Sequence, residues 1–176
     1  MGTVHILALC AALLGFQDPV PTIKNAPAFE KYPVPASEFF KGTPARPHLK
    51  TPGHWKYRTM IRMTAEAGAK FAGHYAVGEW GCGTGCTQTA VVDVRTGAVY
   101  EGPFGMLPKG SINYAAGSED EELGIFYHLN SRLLVAVGCP SFRENCGTYS
   151  YEWTGARFKQ VRMVPMKRLT ELDVVH

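Results

Sequence analysis

The chain of 176 residues holds no basic run of five, no apolar stretch long enough to span a bilayer, and only five cysteines. Each shortage excludes something. The longest near-apolar run is Val4 to Phe16, short of the roughly 20 residues a membrane helix needs. Lys and Arg are scattered and the net charge is only +3, so neither nucleic acid nor an anionic membrane surface is indicated as a partner. No internal repeat of fixed period occurs, and no motif implies a cofactor. What remains is an ordinary globular composition, 45% hydrophobic and 19% charged. The length suits one domain with attachments.

The apolar run stands at the N-terminus, where it reads as the core of a secretory signal. Residues 1–17 are therefore expected to be a signal peptide, although Met1-Gly2-Thr3 carries no basic residue. Cys10 suggests a lipid anchor, but Leu9 stands where a small residue is needed. Removal of the leader leaves Cys82, Cys86, Cys139 and Cys146. An even number of cysteines in an oxidising compartment favours two disulfides.

Eight of the twelve prolines fall between Asp18 and Gly53. Proline lacks the N–H and fixes φ, so residues 18–53 cannot be helix or central strand. Phe29, Tyr32, Val34, Phe39 and Phe40 give this segment apolar anchors. It reads as an extended arm on the domain surface, with a short helical turn near Ala36 to Lys41. Residues 54–166 form the expected domain and 167–176 a tail. From Trp55 to Ala69, residues Tyr57, Met60, Ile61 and Thr64 recur at helical spacing. Strand-like runs follow at 74–80, 87–94, 98–101, 124–128, 132–138, 147–153 and 157–163, separated by turn chemistry. A long loop over 102–123 carries the acidic run Glu119 to Glu122. The sum is an α+β domain, one N-terminal helix packed on an antiparallel sheet of six or seven strands, with two disulfide-stapled hairpin loops.

Gly81-Cys82-Gly83-Thr84-Gly85-Cys86 is the densest signal. A three-residue hairpin loop with Gly85 at its φ > 0 position sets Cys82 opposite Cys86. Their Cα atoms would then lie about 5.5 Å apart, within disulfide range. Cys139 and Cys146 bracket a second loop in the same way. Local pairs Cys82–Cys86 and Cys139–Cys146 are expected; crossed pairings remain open. A redox dithiol usually has two residues between its cysteines at a helix start, and zinc knuckles also favour two, so neither fits well. His74 with Asp93, or with a cysteine, is the remaining catalytic set. The spacing keeps His74 over 20 Å from Cys82 along a straight strand. His74 therefore reads first as a structural histidine bonded to a backbone carbonyl or to Asp93.

Phe71-Ala72-Gly73-His74-Tyr75, then Trp80 to Cys86, Val92-Asp93 and Thr96 to Tyr100, resemble a group of small exported bacterial proteins without assigned activity. Ser131 to Leu134, and Tyr151, Trp153, Gly155 and Phe158, extend the similarity. The resemblance implies export to the periplasm or beyond the cell, and brings no reaction. The expectation is thus an exported, disulfide-stabilised binding or envelope protein, an inhibitor or interaction module for another exported or envelope protein. Its loops, with Trp80, Thr84, Phe142 and Arg143, would supply the contacts. A hydrolase using His74 with Asp93 or a cysteine, and a thiol redox module, are the alternatives.

Overall fold

Leu133-Leu134-Val135-Ala136-Val137 is an unbroken apolar run. In a strand, successive side chains point to opposite faces, so such a run needs a covering layer on each side. The computed structural model supplies both. It describes residue 23 and residues 25–83, 86–103, 124–138 and 147–165, and of residue 86 the backbone alone. The expected leader and tail, Thr84, Cys139, Phe142, Arg143, Cys146 and most of the 102–123 loop lie outside the described residues.

Among the described residues seven strands form: β1 (Tyr75–Gly83), β2 (Cys86–Asp93), β3 (Val99–Glu101), β4 (Gly124–Tyr127), β5 (Leu133–Gly138), β6 (Gly147–Trp153) and β7 (Phe158–Pro165). They divide into two antiparallel sheets, β1-β2-β3 and β4-β5-β6-β7. The expected single sheet carrying one helix is therefore wrong. The architecture is mostly β, with two short α-helices among the described residues, α1 (Pro52–Lys56) and α2 (Arg58–Glu66). The expected helix starts earlier than its periodicity indicated and breaks at Tyr57 (φ −105°, ψ 22°). Thr51 caps α1 by accepting from the His54 N–H at 3.1 Å, and Pro52 occupies the first turn, where its missing N–H costs nothing.

Three apolar clusters set the order of layers. Ile61 and Ala65 of α2 pack with Trp80, Ala90 and Val92 on one face of the first sheet. Tyr75 and Val91 on its other face meet Leu134, Ala136, Tyr149, Tyr151 and Trp153 of the second sheet. Leu133, Val135 and Val137, on the far face of that second sheet, are covered by Phe29, with Ile23, Ala26 and Tyr32 beside it. The proline-rich arm is thus a structural layer. It turns through short 3₁₀ segments at Phe29–Lys31 and Ala36–Glu38. The Ser131 hydroxyl, buried, donates to the Phe29 carbonyl at 2.8 Å and accepts from the Leu133 N–H at 3.1 Å. Further along, the Ala45 N–H reaches the Val94 carbonyl (2.8 Å) and the His48 N–H reaches that of Gly97 (2.7 Å). The arm therefore spans both sheets.

The β1–β2 hairpin differs from its expected form at the tip. Tyr75 does stand opposite Asp93, and the register holds to Gly81 opposite Thr87. It then shifts, so that Gly83 faces Cys86. Cys82 is the extra residue of a β-bulge and does not stand opposite Cys86 in the ladder. Glycines within a strand commonly mark a bulge, and here they flank Cys82 on both sides. Among the described side chains there is no disulfide pair, so the double staple does not stand as a feature of the fold. Cys82 itself is disulfide-bonded, to a cysteine whose side chain is not described.

Candidate functional site

Two places hold the residues singled out from sequence. The first is the open end of the β1–β2 hairpin, where His74 and Asp93 do come together. Both are buried, at 4% and 6% exposure. Asp93 is consumed by its own turn. Its Oδ1 accepts the Arg95 N–H at 2.9 Å and its Oδ2 accepts the Thr96 hydroxyl at 2.9 Å, an Asx arrangement that shapes the β2–β3 turn. Neither oxygen has a hydrogen bond to the imidazole. Instead the Arg95 guanidinium bonds to the ring, with Nη2 2.6 Å from His74 Nε2. Its Nε lies 3.9 Å from Asp93 Oδ1.

A guanidinium only donates, so Nε2 must accept, which fixes a neutral ring protonated at Nδ1. Burial, and then the Arg95 charge, hold the His74 pKa below its usual range. Asp93, Glu38 and the Glu38 carbonyl pull the other way, but no hydrogen bond of full geometry reaches Nδ1. Tyr75 packs against the ring, tilted by 36°, at 4.1 Å between centroids. The sequence expectation of a structural histidine named a backbone carbonyl or Asp93 as its partner; the hydrogen bond to the ring comes from Arg95 instead.

A pH dependence follows. The folded state disfavours imidazolium, so below about pH 6.5 the unfolded chain takes the proton first. Stability is complete above that pH and falls as the pH drops toward the lowered folded value. The slope approaches about 1.4 kcal/mol per pH unit at most. Denaturant titrations between about pH 7 and 5 should show this slope shrinking in His74→Gln. An unchanged slope would mean that His74 is not the group responsible.

Cys82 sits at the opposite end of β1 from His74, seven residues beyond Tyr75, more than 20 Å away at about 3.3 Å per residue. No Cys–His pair can form between them. Among the described residues, no three His, Cys, Asp or Glu side chains group in a way that would hold a metal ion. No described helix is long and apolar enough to cross a membrane.

The second place is a cleft between α1–α2 and the first sheet. Trp80, expected as an exposed contact, is 8% exposed and belongs to the core under α2. Its ring leans on Tyr57, with centroids 5.5 Å apart. Directly across the ladder stands Gln88. Both line a cavity of about 170 Å³, with Tyr57, Ile61 and His54 on the helical side and Glu101 at the end of β3. Trp80 Nε1 and Gln88 Oε1 are buried without a hydrogen-bond partner. Each such atom costs about 1–3 kcal/mol. Sequence reading passed over Gln88, although the Tyr75–Asp93 register by itself places it opposite Trp80. Compared with known proteins, the chain matches no family model, no curated protein and no solved structure.

Proposed function

We propose that the chain is an exported binding module of the bacterial periplasm or cell exterior, which acts by recognising another exported or envelope protein and carries no reaction of its own. On this reading it belongs with the small exported proteins its motifs resemble. The observation that carries the proposal is the state of His74. A general base needs a lone pair within reach of the proton it abstracts. The Nε2 lone pair of His74 is spent on Arg95, and both oxygens of Asp93 are held by the adjacent turn. The disulfide at Cys82 supports export, because such bonds persist in oxidising compartments.

The test has two readouts. In fractionated cells the chain should appear in the periplasm or medium, with Cys82 alkylated only after reduction. A cytoplasmic pool with free Cys82 thiol would contradict export. Purified protein should leave ester, amide and phosphoester substrates unchanged. Turnover that drops at least ~100-fold in His74→Gln, with melting unaltered, would establish a hydrolase instead.

A further inference from the structure

The cleft under α1–α2 gives the binding reading a specific chemistry. Trp80 and Gln88 face each other on neighbouring strands, and their unmet atoms differ in kind. The indole Nε1–H can only donate; the carboxamide Oε1 can only accept. The cavity they line, about 170 Å³, is close to the ~150 Å³ of an engineered cavity that takes up benzene. Tyr57, Ile61 and Ala90 give it an aromatic and aliphatic wall, and Thr51, His54, Thr89 and Glu101 make the rest of the lining polar. Apolar surface interrupted by placed polar groups is how small-molecule sites are built.

We propose that this cleft binds a neutral, ring-sized molecule whose edge carries a carbonyl beside an N–H, a primary carboxamide or a lactam. The carbonyl accepts from Trp80 Nε1–H and the N–H donates to Gln88 Oε1, while the ring lies against Tyr57 and Ile61. Both protein atoms are shut off from solvent, so seating the ligand takes a turn of the half-buried Tyr57 ring or of the half-buried Gln88 carboxamide. A carboxylate would set a second acceptor against Gln88 Oε1, and a hydrocarbon would leave both atoms unmet. The inference rests on the binding reading above and adds a small-molecule site to it.

Benzamide is the probe, followed through the indole N–H resonances of the full ¹⁵N-labelled chain. Three tryptophans give three such signals, and Trp80→Phe identifies the one from Trp80. Benzamide should move that signal saturably. Benzoate and toluene should bind at least ~10-fold more weakly, and so should benzamide to Gln88→Leu, a variant expected to fold as well as the parent because it removes an unmet acceptor. Equal binding of all three probes, or of none, would overturn the site and leave the binding reading standing. In the free protein, indole exchange at least ~10-fold faster in Gln88→Leu would also overturn the site, because it would mean that the two atoms bond each other. Conversion of bound benzamide to benzoate and ammonia would uphold the site and overturn the non-catalytic reading.

Discussion

Phe71→Ala should lower stability by about 3–5 kcal/mol and the melting temperature by roughly 6–20 °C. Phe71 is fully buried, at 0% exposure. It lies just before β1, yet its ring touches Tyr127, Trp153 and Phe158 of the second sheet at 5.9, 6.5 and 6.1 Å between centroids. On its own side it meets Tyr75 at 6.5 Å. It is therefore one of the points, with Tyr75 and Tyr100 against Trp153, at which the two sheets share an aromatic cluster. Rings of this rigidity cannot collapse far into the space alanine would leave. Phe71→Leu, which keeps most of the volume, should cost less than about 1.5 kcal/mol. Thermal melts with near-ultraviolet circular dichroism would read both. An alanine variant within about 1 kcal/mol of the parent would show that the seam between the sheets refills itself.

Gly97→Ala should cost about 2–5 kcal/mol, through two causes that a control can separate. Gly97 has φ +79°, a region where a side chain costs about 1–2 kcal/mol. A Cβ there would also run into the Arg46 carbonyl oxygen of the arm. Relief of that collision would pull the arm from the β2–β3 turn and break the bonds from the Ala45 and His48 N–H groups. Gly68 has nearly the same φ, +78°, with open space around it. Gly68→Ala should therefore show the backbone cost alone, about 1–2 kcal/mol. Amide exchange should quicken at Ala45 and His48 in the first variant and not in the second. Equal losses in both would remove the arm's contact with this turn from the stability of the fold.

The sequence made the strands legible because their alternation and punctuation are local. It did not reveal how they partition. Nothing local tells β3 and β4 apart from neighbours in one sheet. The pertinent clue was the uninterrupted burial implied by Leu133 to Val137, which one helix cannot cover on both sides. The helix boundary was misplaced because α1 is announced by Thr51 and Pro52, a cap and a first-turn proline, before any periodicity begins. His74 and Asp93 were placed together by simple register. The guanidinium that bonds the imidazole was not foreseen, since Arg95 reaches back from a turn and only its side-chain direction brings it there. The bulge at Cys82 was signalled by Gly81 and Gly83, which read more readily as turn residues.

That bulge also bears on self-association. β1 is nine residues long and lies at the edge of its sheet, where unpaired backbone groups can template the addition of another chain. An extra residue near its end twists the ladder out of register, and Glu79 keeps a charge exposed along it. At the edge of the other sheet, β7 presents Lys159 and Arg162 to solvent. Both long margins thus carry charge, and one carries a kink besides, which are features that keep a β-rich protein from stacking edge to edge at high concentration.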